Sequence, residues 1–130
     1  MNPNSEAAFT FRLPPIPNGL SPNARLHWAA KAKLTAQYRE WARIGCLAAM
    51  REHPECGPYP WRSVLVQLTY HGSMMRDRDN MIAKAKALFD GLADAGLVGN
   101  DRLITHLPPA AIGKGQRDRH VIVRVLQGEK

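Results

Sequence analysis

The sequence of 130 residues is poor in cysteine and has no long apolar segment. Its two cysteines, Cys46 and Cys56, form no CxxC pair and have no cluster of histidines nearby, which argues against both a disulfide framework and a zinc site. No run of 18 apolar residues occurs, and the N-terminal residues lack a basic start followed by an apolar segment. We therefore expect a reduced, cytoplasmic protein that is neither secreted nor bound to a membrane.

Acidic side chains are also scarce, because 11 Asp and Glu stand against 18 Lys and Arg and give a formal net charge of +7. Such an excess of positive charge favours a nucleic acid or another anionic surface as partner. The length leaves room for one domain with one core, and a hydrophobic content of 45% is that of a globular protein. We expect residues 1–130 to form a single domain in which residues 1–7 are disordered.

Hydrophobic patterns predict six elements in the order β, α, β, α, β, β. The predicted strands cover residues 8–13, 63–70, 103–111 and 120–126, and the predicted helices cover residues 29–51 and 81–95. In the first helix the expected apolar face consists of Leu34, Trp41, Ile44, Leu47 and Ala48. This order predicts an α+β fold in which two helices pack on one face of a small mixed β-sheet.

Aspartate is concentrated in one part of this basic chain, since five of the six aspartates lie between Asp77 and Asp101. Asp77 and Asp79 are one residue apart just before the second predicted helix, so in an extended backbone their carboxylates point the same way. Asp101 enters the next predicted strand, whose start can lie beside the same strand end. Three short carboxylates, together with water and a substrate phosphate, suit octahedral Mg²⁺ or Mn²⁺ better than zinc.

Each of these residues also has an ordinary structural explanation. Asp77 and Asp79 fit a turn followed by a helix N-cap, and Asp101 fits a polar turn. Lys86 and Asp90 are spaced for a surface ion pair along a helix. Spacing alone therefore leaves both a metal site and simple capping open.

The motifs within residues 76–101, taken together, resemble those of the RusA-type Holliday junction resolvases of bacteria and their phages. The matching segments are 76–80, 86–92, 95–96 and 100–101, which are similar in order to the family's D-x-DN, K-x-x-x-D-x-L and G-x(3,4)-D-D elements. The resemblance implies a Mg²⁺-dependent endodeoxyribonuclease, with Mn²⁺ as a substitute, that resolves four-way DNA junctions in recombination and repair. It also implies a homodimer, because a junction requires two symmetric cuts.

In such an enzyme Asp77, Asp79 and Asp101 would hold the metal, and Lys86 would support catalysis. The chain departs from the pattern at Asn100, where the family usually has the first Asp of a pair. The interval between the first two motifs is also longer than in some members, which leaves Lys84 as a second candidate for the catalytic lysine.

Basic residues flank the aspartates and recur in residues 113–119, which join the last two predicted strands and form a predicted hairpin tip. We expect DNA phosphates to be contacted by Arg76, Arg78, Arg102, Lys114, Arg117 and Arg119. The same charges are also typical of solvated loops. Two other hypotheses are a nuclease for flaps or other branched DNA and a non-catalytic, basic DNA-binding protein.

Aromatic and histidine side chains give weaker indications. Trp28, Tyr38 and Trp41 are candidates for stacking on unpaired bases, although helical spacing favours a core position for Trp41. We interpret His27, His53, His71 and His106 as structural or surface residues, because they show no ligand spacing.

Overall fold

Five β-strands and three α-helices form the part of the chain that the computed structural model describes, which comprises residues 7–22, 24–72, 78–113, 115 and 117–128. The strands are β1 (Ala8–Leu13), β2 (Val64–His71), β3 (Ile104–His106), β4 (Ala110–Ile112) and β5 (His120–Gln127). The helices are α1 (Trp28–Glu52), α2 (Arg78–Lys84) and α3 (Lys86–Asp94). Short 3-10 helices in the connections are Asn18–Leu20, Pro54–Cys56 and Asp101–Leu103.

The described strands form one mixed sheet. β5 lies between β1 and β2 and is antiparallel to both. On the other side of β2, β3 pairs with its first half and β4 with its second half, both in parallel orientation. Side chains of β2 alternate between buried and half-buried positions, which is the pattern of a sheet that helices cover on one face. The predicted α+β fold with a mixed sheet is confirmed.

The strand predicted at residues 103–111 is divided into β3 and β4. Pro108 and Pro109 lie between them, and proline has no N–H group to continue the hydrogen bonds of the sheet. Leu107 makes the last such bond before them, from its N–H to the carbonyl oxygen of Val66 (2.9 Å). The prediction of one continuous strand was wrong for this reason.

The helix predicted at residues 81–95 begins earlier, at Arg78, and is divided into α2 and α3. The break lies at Ala85, whose N–H donates to the carbonyl of Ile82 (3.0 Å) in a 3-10 turn. No proline or glycine marks this position in the sequence, so pattern alone predicted a single helix.

The buried face of α1 differs from the predicted one. Its buried residues are Tyr38, Ala42, Cys46, Ala49 and Met50. Trp41 and Ile44, which we expected in the core, are 40% and 52% exposed. The reason is the close approach of α3, because a Cβ atom built on Gly91 would lie 2.6 Å from the Cβ of Ala42. Small side chains, rather than the large apolar ones, therefore form the contact between α1 and α3.

Two further expectations concern the N-terminal residues and membranes. The expectation that residues 1–7 are disordered falls, for residues 1–6, outside the described residues. Ala7 is described, and its carbonyl oxygen accepts a hydrogen bond from the N–H of Gln127 (2.8 Å). Within the described ranges, no helix has both the length and the apolar character that are needed to cross a membrane.

Candidate functional site

Lys86 is the first residue of α3, and its ammonium group contacts two carboxylates. Its Nζ lies 3.0 Å from Oδ1 of Asp90 and 3.1 Å from Oδ2 of Asp101. Asp90 is one turn further along α3, whereas Asp101 opens the 3-10 helix that leads into β3. The structure therefore joins two predicted catalytic residues, Lys86 and Asp101, that are 15 positions apart in the sequence.

The three groups differ in their access to solvent. The side chain of Lys86 is 69% exposed, whereas that of Asp90 is only 18% exposed. Hydrogen bonds to Asp90 and Asp101 raise the pKa of Lys86, and the bond from Lys86 lowers the pKa of Asp101. At neutral pH the site thus presents a charged ammonium that is open to solvent and contacts two carboxyl groups.

A residue that the sequence analysis missed completes this cluster from α1. Arg39 donates two hydrogen bonds to the carboxylate of Asp94, at 2.5 and 2.9 Å, and its Nη1 lies 3.9 Å from Oδ2 of Asp90. The bidentate contact with Asp94 raises the pKa of Arg39, and it lowers the pKa of Asp94. Asp90 consequently lies between two cations, Lys86 and Arg39, which hold its carboxylate in place.

The acidic side chains of the cluster and Arg39 border a depression at the end of α3. The depression is lined by Arg39, Asp90, Ala93, Asp94, Gly99, Asn100 and Asp101. Asn100 caps the following 3-10 helix, because its Oδ1 accepts a hydrogen bond from the N–H of Arg102 (2.8 Å). An aspartate oxygen would fill the same capping role, so the departure from the family pattern at this position leaves the local backbone intact.

Asp79 lies in the first turn of α2 and is exposed to solvent. Asp77, the other predicted ligand of this motif, lies outside the described residues. Among the described residues, Asp79, Asp90 and Asp101 do not form a group whose carboxylate oxygens all lie within 4.8 Å of one another. Asp79 and Asp101 nevertheless offer exposed carboxylate oxygens, which are the ligands that Mg²⁺ prefers.

The alternative lysine, Lys84, has different neighbours. Its Nζ donates to Oδ1 of Asn18 (2.9 Å) in the proline-rich segment, and its neighbour on α2, Asn80, accepts a hydrogen bond from Oγ of Ser21 (3.1 Å). Burial lowers the pKa of Lys84, and the positive charge of Arg119 lowers it further. Lys84 therefore fixes the proline-rich segment to α2, whereas Lys86 contacts Asp90 and Asp101.

The predicted DNA-binding residues are distributed around this region. Arg102, Arg117 and Arg119 are exposed, and Arg119 lies close enough to Lys84 to affect its pKa. Arg78 is the first residue of α2. The predictions at Arg76 and Lys114 concern positions outside the described residues.

The aromatic candidates for base stacking have different environments. Trp28, at the start of α1, is 77% exposed. Tyr38 is buried, and its hydroxyl donates to the carbonyl of Pro14 (2.6 Å), so the expectation that it stacks on bases was wrong. Trp41 contacts the ring of Tyr38, with the ring centroids 6.1 Å apart.

His106 is a second residue near the cluster that sequence reasoning missed. Its ring stacks on Phe89 at a centroid distance of 4.1 Å and lies within the electrostatic influence of Asp101 and Lys86. Burial lowers the pKa of His106. No local sequence pattern points to His106 or Arg39, because each reaches the cluster only through tertiary contacts with α3.

Comparison with known proteins assigns no activity to this arrangement. No protein-family model matches the sequence. An uncharacterized protein of Xylella fastidiosa (strain Temecula1 / ATCC 700964) is 30% identical over 97 residues, which are 75% of this chain and 63% of that protein. The chain thus spans less than two thirds of the length of the curated relative that it matches.

Proposed function

We propose that the chain is a Mg²⁺-dependent endonuclease of branched DNA that resolves four-way junctions in the manner of the RusA-type enzymes. The observation that supports this proposal most is the contact of Lys86 with Asp101 (3.1 Å). The two residues come from separate sequence motifs, and both were assigned to catalysis by the resemblance. If Asp101 served only as a turn residue, its carboxylate would not need a contact with Lys86, which belongs to a different motif.

In the proposed reaction Lys86 acts on the phosphate. Its exposed ammonium stabilises the negative charge that develops on the phosphate oxygens as water attacks phosphorus. Asp90 is a positioning residue, because its contacts with Lys86 and Arg39 orient the ammonium. As the bond to phosphorus forms, a carboxylate of the cluster accepts a proton from the water, and the leaving oxygen takes a proton from solvent.

The carboxylates supply the second part of the site. Asp79 and Asp101, together with Asp77, would hold the divalent ion, and their oxygen donors fit Mg²⁺ or Mn²⁺. When bound, the ion supplies a Lewis acid that neutralises phosphate charge and makes water a better nucleophile. The bond from Lys86 lowers the pKa of Asp101, which favours the ionised carboxylate that a metal ligand requires.

Binding of DNA would rest on charge and on one exposed aromatic side chain. A net charge of +7 and the exposed arginines Arg102, Arg117 and Arg119 supply phosphate contacts, so affinity should fall steeply with salt. Trp28, which is 77% exposed, would stack on a base that is unpaired at a branch point. A homodimer would supply the second site for the paired cut.

Cleavage of a labelled synthetic four-way junction tests the proposal. We expect symmetric nicks in Mg²⁺ or Mn²⁺ and none in EDTA. A flap and a replication-fork substrate, tested side by side, separate a junction resolvase from a more general nuclease of branched DNA. Binding without metal-dependent cleavage of any of these substrates would contradict the enzymatic proposal and support a non-catalytic DNA-binding protein.

A further inference from the structure

The connection between α1 and β2 brings together three side chains that are typical metal ligands. His53 follows the last residue of α1, and Glu55 and Cys56 belong to the 3-10 helix Pro54–Cys56. One ligand atom from each, a ring nitrogen, a carboxylate oxygen and the sulfur, lies within 4.8 Å of the other two. In the part of the chain that the structure describes, no other group of three His, Cys, Asp or Glu residues has its ligand atoms within 4.8 Å of one another.

The backbone that carries these ligands is held by hydrogen bonds. The N–H of Cys56 donates to the carbonyl of His53 (3.0 Å), and the hydroxyl of Tyr59 donates to the same carbonyl (3.1 Å). The indole N–H of Trp61 donates to the carbonyl of Cys56 (2.9 Å). The imidazole of His53 is itself stacked on Phe9, with ring centroids 5.3 Å apart. Little chain ordering would therefore oppose the binding of an ion.

The distances between the ligands also suit a small ion. Nδ1 of His53 and Oε1 of Glu55 are 3.1 Å apart. Two ligands of a tetrahedral zinc ion lie roughly 3.3–3.8 Å apart when the bonds to the metal are about 2.0–2.3 Å long. All three ligand atoms can thus reach this spacing by movements on the order of 1 Å. An ion can also reach the site from solvent, because each of the three side chains is at least partly exposed.

We propose that His53, Glu55 and Cys56 form a binding site for a borderline-soft divalent ion of the Zn²⁺ type, with the fourth position open to water. Nitrogen and sulfur donors distinguish this site from the oxygen donors of the aspartate cluster and disfavour Mg²⁺. On binding, the thiol of Cys56 releases its proton to solvent and the thiolate coordinates the ion.

Two of the ligand residues also contact strand β1. Sγ of Cys56 lies 3.8 Å from the carbonyl oxygen of Ala8, at the start of β1, and His53 stacks on Phe9 of the same strand. A metal ion held by these residues would fix the connection between α1 and β2, from which all three ligands come. It should therefore raise the unfolding temperature of the protein, since it binds the folded chain in preference to the unfolded one.

Calorimetric titration of the full chain with ZnCl₂ in excess Mg²⁺ tests this site, because Mg²⁺ occupies the oxygen-donor sites. We expect one equivalent of Zn²⁺ to bind, with proton release that is revealed by the dependence of the heat on the buffer. Cys56→Ser should weaken binding at least about 10-fold, as even the loss of residues that support a metal ligand costs about 10- to 100-fold. His27→Gln, which removes an exposed histidine elsewhere, is the matched control and should leave the affinity unchanged.

Alkylation of thiols gives a second measurement that does not depend on a variant. One equivalent of Zn²⁺ should protect Cys56 of the wild-type protein from iodoacetamide, and EDTA should restore the reaction, as followed by peptide mass spectrometry. Unprotected Cys56 in the presence of bound Zn²⁺, or equal Zn²⁺ affinity in the folded Cys56→Ser protein, would overturn the proposal. An absence of Zn²⁺ binding by the wild-type chain would do the same.

Discussion

Gly91 of α3 lies directly against the backbone of Arg39 in α1, so that a Cβ atom on residue 91 would be 2.5 Å from the Arg39 carbonyl oxygen. This contact brings the side chain of Arg39 to Asp90 and Asp94. Because Gly91 has no side chain, α3 packs closely on α1, and Arg39 is the residue of α1 that reaches the candidate site.

Replacement of Gly91 by alanine should destabilise the fold. The helix propensity of alanine favours the change by up to about 1 kcal/mol, but the added methyl group meets backbone atoms that cannot rotate away. We expect a net loss on the order of 1–3 kcal/mol in the free energy of unfolding, measured by urea denaturation. Gly99→Ala is the control, because the nearest atom to its Cβ would be a side-chain carbon at 3.8 Å. Equal stability of Gly91→Ala and wild type would contradict the packing of α3 on α1.

The ion pair of Arg39 with Asp94 should make a small contribution to stability that depends on pH. Because Arg39 holds the pKa of Asp94 below its ordinary value, the pair stabilises the fold above the unfolded pKa of about 3.9. This stabilisation is lost as the pH falls through the lower, folded pKa.

Asp94→Asn should thus cost roughly 0.5–1 kcal/mol at pH 7, since the pair is partly exposed and solvent screens it. The cost should disappear in strong acid, as measured by thermal unfolding across a pH series. Glu52→Gln, at the end of α1, serves as a control for the loss of one negative charge. A cost for Asp94→Asn that is constant with pH would rule out this explanation.

The two cysteines should differ strongly in their reaction with iodoacetamide. Cys46 is fully buried in α1, and burial raises the pKa of its thiol to about 12, so the reactive thiolate is almost absent at neutral pH. In native protein treated with EDTA, mass spectrometry should find alkylation at Cys56, with Cys46 modified only after unfolding. Similar native rates at both positions would show that α1 does not cover Cys46 as described.

Trp28 should contribute to DNA binding without contributing to stability. Because its side chain is 77% exposed, Trp28→Ala should leave the unfolding temperature nearly unchanged. Loss of one base-stacking contact should weaken junction binding by about 1–3 kcal/mol, roughly 5- to 150-fold. Trp28→Phe keeps an aromatic face and should restore most of the affinity. Wild-type affinity of Trp28→Ala in a fluorescence anisotropy titration would exclude a role of this residue in binding.

Local patterns predicted the elements that dominate the fold, because these depend on properties readable along the chain. The alternation of β2 and the long proline-free segment of α1 located both elements to within one residue at each end. The division of residues 103–111 was also readable in principle, since Pro108 and Pro109 lie in its middle. The apolar residues on both sides of the two prolines nevertheless fit the pattern of a single strand.

The face of α1 could not be predicted in the same way. The apolar pattern pointed to Trp41 and Ile44, whereas the small side chains of Ala42 and Cys46 are the buried ones. Which face of α1 is buried depends on Gly91 and on the packing of two helices that are far apart in sequence. The local spacing of apolar residues does not indicate that packing.

Prediction of the candidate site had a similar limit. The resemblance to the junction resolvases selected Lys86 and Asp101 from sequence alone, and the structure brings Nζ of Lys86 to 3.1 Å from Oδ2 of Asp101; their role in catalysis stays a prediction. Arg39 was missed because it reaches Asp94 across 55 positions of sequence. Sequence spacing gives His53 and Cys56 no role as ligands, and the structure brings one ligand atom from each to within 4.8 Å of the other and of a carboxylate oxygen of Glu55.

The proposed endonuclease is tested most directly by single-turnover cleavage of a labelled four-way junction in Mg²⁺, with Asp79→Asn and Asp101→Asn compared with wild type. Both variants should bind the junction at least as tightly as wild type, because each loses a negative charge near phosphate. Their cleavage rates should fall by at least about 100-fold, the usual cost of removing one group that stabilises the charge of a transition state. Cleavage by either variant at the wild-type rate, or a wild-type protein that leaves the junction intact in both Mg²⁺ and Mn²⁺, would contradict the account.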